Sequence, residues 1–468
     1  MLKVALVNAR IEPRQHVPMG LLYLAAYVEN ICDLVIFDSE TDDMVLQDII
    51  DFQPDIIGIT SMTQNFWRAK EIINVLKAGC NSKIIVGGIH ATVASSEVLS
   101  ETGADAVCVG EGEFTFKEYI EANIAGNGYE NIKGLISKDN KTLQPRELIK
   151  DLDSLPFPAY HLMPKADLYL MPIGTRGALL KEKRVDVMTG RGCPANCIYC
   201  GSKAIFGRKV RRRSVDSVIK EIELRISQFG NVSFLFGDDT FTNNKPWVME
   251  FCKRIKEFKV SWACQTRGDR ITEEIAKALK ESGCRHIDIG VESGSPTILE
   301  ILKKGVKREQ YIETFRILRK YKIKTGATFI LGTPGETEEL LEETKDLIRI
   351  IKPNFSLFFY LSPYPGTELF EMVEVRNYTG LGVQETAVLE NENISRERYI
   401  QIRNELVSMT QWRNMANYVS LRTIIGLLHL VNIRRIRIIA STFWKKNIFD
   451  AMFAFLQDCR KEAELDKE

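Results

Sequence analysis

Two successive series of short β-branched runs, each run separated from the next by a helical stretch, restrict this chain to parallel-sheet architectures. The first series comprises "KVALVN" (3–8), "LVIF" (34–37), "DIIGIT" (55–60), "KIIVGG" (83–88) and "DAVCVG" (105–110). Helical patterns such as "MGLLYLAAYVEN" (19–30) and "FWRAKEIINVLKAG" (66–79) lie between them. This rhythm predicts a doubly wound α/β sheet with helices on both faces. The loops after its strands carry Gly, Ser, Thr, Asn and Asp, and in open α/β sheets ligands bind at those carboxyl ends.

The stretch "DLDSLPFPAYHLMP" (151–164) breaks the rhythm with three prolines and is expected to be a linker along the surface. A second series follows: "RVDVMTG" (184–190), "VSFLFG" (232–237), "VSWACQ" (260–265), "HIDIGV" (286–291), "GATFILG" (326–332) and "FSLFFYL" (355–361). Six parallel units fit a partial (β/α)6 barrel better than a full eightfold one. Ser214 is placed to cap the helix that runs to residue 230. From about residue 395 the pattern is helical only, and an apolar, basic stretch occupies 423–446. The expected divisions are a Rossmann-like domain at 1–145, a linker at 146–180, a partial TIM barrel at 181–385 and a helical region at 386–468.

Composition excludes some classes. The formal net charge of +1 gives no global electrostatic reason to expect a nucleic-acid partner. No run of 18 or more apolar residues occurs, so no membrane span is expected. Met1–Asn8 reads as a strand rather than a secretory signal, and the expected location is cytoplasmic. Of ten cysteines, seven are scattered and read as small buried apolar residues. The remaining three, Cys193, Cys197 and Cys200, form a C-x3-C-x2-C array in "RGCPANCIYC".

Thiolates suit zinc and iron–sulfur clusters alike. A structural zinc site needs four ligands, and no fourth Cys or His lies at suitable spacing nearby. A four-iron cluster held by three cysteines leaves one iron open, free to chelate a substrate that carries an amine and a carboxylate. The array follows a strand at the ligand-binding end of the second series, and iron–sulfur clusters belong to one-electron and radical chemistry.

With an aromatic, Tyr199, before the last cysteine, the array resembles that of the radical S-adenosylmethionine (SAM) enzymes. The resemblance implies that Cys193, Cys197 and Cys200 ligate a [4Fe–4S] cluster. The open iron would bind the methionyl group of SAM, and one-electron reduction would give methionine and a 5′-deoxyadenosyl radical. Later segments match the family's SAM-binding positions. They are Gly237, Asp238 and Asp239 in "FGDDTFT", Arg267 in "QTRGD", Glu292 and Ser293 in "IGVESGS", and Gly332 and Gly335 in "LGTPGET". An acidic acceptor suits the methionyl ammonium, and an arginine suits its carboxylate. The basic run "GRKVRRRS" (207–214) is expected to be structural, with a second reading as a substrate or cofactor-phosphate contact.

The amino-terminal domain resembles the cobalamin-binding domain joined to many radical SAM enzymes, on "VPMGLLYLAAYVE" (17–29), "ITSMT" (59–63), "VGGIHAT" (86–92) and "VGEGE" (109–113). The matching positions are Ser61, Thr63, Gly87, Gly88, His90, Thr92, Gly110 and Glu111. Small residues there let a corrin and its nucleotide tail approach the backbone, and hydroxyls can bond the tail. The Asp-x-His-x-x-Gly motif that ligates cobalt in many cobalamin proteins is absent. His90 is the nearest substitute, with a loop-packing role as the alternative.

The resemblance implies a cobalamin-dependent radical SAM enzyme, foremost a C-methyltransferase that moves a methyl group from methylcobalamin to an unactivated carbon. The same cofactors also serve oxidative cyclisation and rearrangement. Transfer RNA methylthiolation is disfavoured, because Cys32, Cys80 and Cys108 are isolated and the tail is helical. A non-enzymatic cobalamin sensor is disfavoured by the complete set of segments after the barrel strands. The expected partners are a small-molecule or lipid-like substrate and an external one-electron reductant such as flavodoxin or ferredoxin. No nucleic acid is expected, and 423–446 is a candidate for peripheral membrane contact.

Overall fold

The computed structural model describes residues 1–9, 17–39, 43–164, 166–170, 183–373 and 391–418. The expected membrane-contact stretch 423–446, most of the carboxyl-terminal region, and His16 and His429 lie outside the described residues. No described helix is long and apolar enough to cross a membrane.

The first series forms β1 (Lys3–Ala9), β2 (Asp33–Ser39), β3 (Ile56–Thr60), β4 (Lys83–Gly87) and β5 (Ala106–Cys108), joined at the edge by β6 (Leu135–Ser137). The order is β2-β1-β3-β4-β5-β6, parallel throughout except for the antiparallel β5–β6 pair. That last strand pairs antiparallel outside the βα rhythm, and the sequence does not announce it. Strand alternation builds the two cores: Val4 and Leu6 pack on one face of β1, and Ala5 and Val7 on the other. The chain leaves β1 for β2 on one side and returns to β3 on the other. This reversal opens a crevice at the carboxyl ends of β1 and β3, where such sheets take ligands.

The second series forms β7 (Lys183–Val187), a short ribbon of β8 (Gly190–Arg191) with β9 (Arg211–Arg212), then β10 (Val232–Phe236), β11 (Trp262–Thr266), β12 (Cys284–Glu292), β13 (Lys324–Leu331) and β14 (Phe355–Tyr360). Six parallel strands in the order β14-β13-β12-β11-β10-β7 make the half-barrel. Phe234, Phe236 and Trp262 face its helices, while Leu235 and Ala263 form a small separate cluster on the other face. Ser214 caps the helix Val215–Phe229 by accepting from the Ser217 amide at 3.1 Å, as its position predicts.

The proline-rich connection packs with one side inward and keeps Asp151, Asp153, Ser154, Pro156 and His161 exposed. Leu152, Leu155, Ala159, Tyr160 and Met163 are buried, and Ala159, Tyr160 and Met163 belong to the one apolar core that spans both sheets. The Tyr160 hydroxyl donates to the Asp186 carbonyl at 2.7 Å. The prolines break the local pattern correctly, but local pattern does not reveal what the flanking apolar side chains cover.

Candidate functional site

The loops after β8, β10, β11, β12 and β13 gather at one rim of the half-barrel. Cys193, Cys197 and Cys200 occupy the first as free thiols, with Cys197 buried and the others half-buried. The Cys193 amide donates to the Gly207 carbonyl at 3.4 Å, which folds the loop back on itself. Burial raises the Cys193 thiol and pushes Cys200 up to about 11, so metal binding would have to displace their protons. Among the described residues no three His, Cys, Asp or Glu side chains converge on one ion position. A mononuclear zinc asks for that convergence, whereas a cuboidal cluster takes one thiolate at each of three irons.

The acidic pair after β10 divides. Asp238 is 3% exposed, and one of its oxygens accepts from the Thr189 amide at 2.7 Å and the Gly190 amide at 3.1 Å. Its other oxygen meets the Thr189 hydroxyl and, at 3.0 Å, Arg212. These partners make Asp238 order the backbone that leads into the cysteine loop. Asp239 accepts from the Ser202 hydroxyl at 2.5 Å and is close enough to Cys193 and Cys200 to disfavour their ionisation. Gly237 leaves open space where a Cβ would stand.

Arg267 is held through Nε and Nη2. It pairs with Asp269 at 3.0 Å and donates to the carbonyls of Lys304 at 3.0 Å and Gly305 at 3.3 Å. Glu292 sits at an irregularity in the β12–β13 pairing with φ of +67°, a conformation that costs a non-glycine residue about 1–3 kcal/mol. It pairs with buried Lys304 at 2.7 Å, and Lys304 also reaches the Tyr199 hydroxyl at 3.4 Å. A Cβ on Gly290 would lie 2.4 Å from a Glu292 oxygen and 2.9 Å from the Lys304 ammonium, so glycine there makes room for the pair. Lys304 gives no sequence signal; only the fold brings it to this rim.

Ser293 bonds the Thr344 hydroxyl at 3.0 Å and the Ser295 amide at 3.1 Å, which makes it a turn residue. Gly332 (φ +91°) donates its amide to Glu336 at 2.8 Å. Glu336 is 1% exposed, and burial pushes its carboxyl up to about 7 against the pull of that bond. Gly335 faces open space.

A second site lies at the crevice of the first sheet. A cavity of about 320 Å³ is lined by Asn8, Thr60 and Gly87 on that side and by Met188, Arg191 and Phe206 from the half-barrel. Gly110 lines it with open space at its Cβ position. Gly88 has φ of +101°, and a Cβ there would stand 2.6 Å from the Ser61 carbonyl oxygen. The Ser61 hydroxyl is fully buried and has no partner, although an unmet buried hydroxyl costs about 1–3 kcal/mol. The open space at Gly20 and Gly110 fits a bulky cofactor, and the orphaned Ser61 hydroxyl stands between the lining residues Thr60 and Met62.

Other expected contacts have different tasks. Thr92 donates to the Gly88 carbonyl at 2.8 Å and accepts from the Gly110 amide at 3.0 Å, stapling two loops together. His90 is fully buried, 3.3 Å from the Thr63 hydroxyl, with its ring 4.3 Å from that of Phe66. Burial pushes it down to about 4. Neither His90 nor Thr63 lines the cavity, and the His90 ring packs on Phe66.

Glu111 forms the joint between the two sites. It meets Arg191 at 2.8 Å, Arg211 at 2.7 Å and the Ile149 amide at 2.8 Å. Arg191 also pairs with Glu113 at 2.5 Å and lies over the rings of Tyr23 and Phe206, 5.2 and 5.7 Å from their centroids. All four charged groups are buried. Arg191 therefore forms a wall of the cavity while standing two residues before Cys193. The basic run, expected to be structural, is so in its inner half: Arg211, Arg212 and Arg213 pair with Glu111, Asp238 and Glu221. That half is not the solvated surface a basic run suggests by default.

Comparisons with known proteins agree with this layout. The "Radical SAM superfamily" description matches residues 187–348, and "B12 binding domain" matches 7–120. An uncharacterized methyltransferase of Pyrococcus horikoshii is 36% identical over 375 residues, covering 77% of this chain and 79% of that protein. The anaerobic magnesium-protoporphyrin IX monomethyl ester cyclase of Cereibacter sphaeroides is 29% identical over 378 residues, and the match spans 77% of this chain but 60% of the cyclase. Among solved structures, the radical SAM methyltransferase TsrM of Kitasatospora setae, with cobalamin and a [4Fe–4S] cluster bound, aligns with a TM-score of 0.67. That alignment has 19% identity and covers 79% of this chain and 77% of TsrM.

Proposed function

This chain belongs to the radical SAM superfamily, in its cobalamin-dependent branch with an amino-terminal B12-binding domain, and we propose that it is a C-methyltransferase acting on an unactivated carbon of a small molecule. One observation carries the reading. The cavity at the crevice of the first sheet and the cysteine loop of the second share Arg191 as a common wall. A radical generator and a methyl carrier must face one substrate from two sides, and a shared wall holds them in register.

When bound, the cluster and SAM supply the 5′-deoxyadenosyl radical, and methylcobalamin supplies the methyl group. In this reading Cys193, Cys197 and Cys200 hold the cluster. Gly237, Asp239, Gly332 and Gly335 border SAM. The Glu292–Lys304 pair keeps a charged, satisfied edge beside it. Gly87 and Gly110 leave the corrin side open, Gly88 lets the backbone pack on Ser61, and Ser61 offers its unmet hydroxyl to the nucleotide tail. Asp238 and Thr92 hold these loops in place. The relative named as a methyltransferase, similar over most of both chains, supports methyl transfer.

Anaerobic reconstitution with iron, sulfide and hydroxocobalamin, followed by turnover with SAM and cell extract, tests the reading. Methyl transfer yields S-adenosylhomocysteine and 5′-deoxyadenosine in equal amounts. Product mixtures with 5′-deoxyadenosine but no S-adenosylhomocysteine exclude it and favour oxidative ring formation, the second reading, which the similarity to the cyclase supports. Cys193→Ala, Cys197→Ala and Cys200→Ala should each abolish both products.

A further inference from the structure

The basic run at 207–214 splits into two halves with different surroundings. Arg211 and Arg213 are buried, the Arg212 side chain is nearly so, and all three are ion-paired. Arg208 and Lys209 are exposed. Neither they nor Lys203, on the helix Ser202–Phe206 just before them, pairs with an acidic side chain among the described residues. Arg208 donates to the carbonyl of Pro194 at 3.3 Å, inside the cysteine loop. The Gly207 carbonyl accepts from the Cys193 amide at 3.4 Å, and the Gly207 amide donates to the Lys203 carbonyl at 3.1 Å. One hydrogen-bonded piece of backbone therefore ties three cations without acidic partners to the first cysteine of the array.

We propose that Lys203, Arg208 and Lys209 form the landing face for an acidic one-electron carrier protein. The inference rests on the function proposed above, in which the cluster must be reduced by one electron. Electrons tunnel only over short distances, so a carrier has to settle on the surface nearest the cysteines. The chain as a whole has a net charge of +1 and offers an acidic carrier no general attraction. A local cluster of unpaired cations does, and complementary charge of this kind raises association rates by roughly 10–1,000-fold. Three acidic groups come near it: Glu147, next to the Leu148 that packs on Gly207, pairs with Lys150 at 2.8 Å. Glu111 is spent on Arg191 and Arg211, and Asp239 faces inward to Ser202. In the step itself one electron leaves the carrier, which is oxidised, and enters the cluster, which is reduced; no bond forms or breaks.

The test compares two reductants on reconstituted holoenzyme: reduced flavodoxin, an acidic protein, and photoreduced 5-deazariboflavin, a small neutral donor. Cluster bleaching is followed by stopped flow. The double variant R208E/K209E changes two exposed side chains, and its iron content and cobalamin spectrum report that it is intact. The expected result is a loss of about 10–100-fold in the second-order rate with flavodoxin at low salt. Wild type should approach the variant's rate as salt rises, and the deazaflavin rate should stay within about twofold. K203Q should show a smaller loss of the same kind. An unchanged flavodoxin rate, or equal losses with both reductants, overturns the docking face while leaving the enzyme's chemistry standing. A wild-type cluster that neither donor reduces overturns the functional reading, and the docking inference with it.

Discussion

Replacing Arg191 by methionine keeps much of the side chain's bulk and removes its charge from the joint between the two domains. Glu113 is 5% exposed and has its ion pair with Arg191; it is left as a buried carboxylate with no cation. Removing one partner of a buried pair costs about 3–5 kcal/mol. Glu111 keeps Arg211 at 2.7 Å, so it adds little. The contacts of the guanidinium with the rings of Tyr23 and Phe206 contribute about 0.5–2 kcal/mol each, offset in part by the packing of the methionine chain. A loss near the middle of the 3–5 kcal/mol range follows. The double variant R191M/E113Q should recover about half of it, because no charge is then stranded. The assay is equilibrium urea unfolding of the apo-protein, read by the fluorescence of the five tryptophans, which include Trp67 in the first domain and Trp247 and Trp262 in the half-barrel, and in parallel by circular dichroism. Coincidence of the two curves tests whether one transition describes both domains. A cost below about 1 kcal/mol, or a cost that does not depend on Glu113, would refute the reasoning.

Three further outcomes follow from single sites. Ser61→Ala should leave the apo-protein as stable or slightly more stable, since it deletes an unmet buried hydroxyl. Cobalamin binding should weaken by about 3–10-fold, the worth of one hydrogen bond; unchanged affinity in a spectroscopic titration would exclude the contact. Gly88→Ala should lower the thermal midpoint by the equivalent of roughly 1–3 kcal/mol, because φ is +101° and the new Cβ would meet the Ser61 carbonyl. Glu336 titrates at about 7 in the folded chain against an ordinary 4.5. The folded state therefore binds the extra proton, and stability should fall between about pH 4.5 and 7 and level off above that, by an amount on the order of 3 kcal/mol. Glu336→Gln should flatten that slope in pH-dependent thermal unfolding.

Legibility in the sequence followed the range of the interaction. Strand runs, helix starts and glycines at turns are decided within a few residues, so the two βα series, the cap at Ser214 and the cysteine loop after a strand were all readable. The edge strand Leu135–Ser137 was not, because it pairs antiparallel outside the βα rhythm that reveals the equally short Ala106–Cys108. Proline marked the linker as a break, but the burial of Tyr160 depends on both sheets.

By itself, the sequence determined that the chain folds as two parallel-sheet layers with small residues and three cysteines after their strands. Tertiary structure alone decided which polar groups remain free to act. Asp238 and Asp239 are neighbours in sequence, yet one is fully engaged by Thr189, Gly190 and Arg212 while the other faces the cysteines. Within one basic run, three arginines neutralise buried acids and two basic residues stay in solvent. Glu111 and Arg191 meet across 80 residues. A buried charge is stable only beside its counter-charge, and which charges meet is set by how the two domains dock.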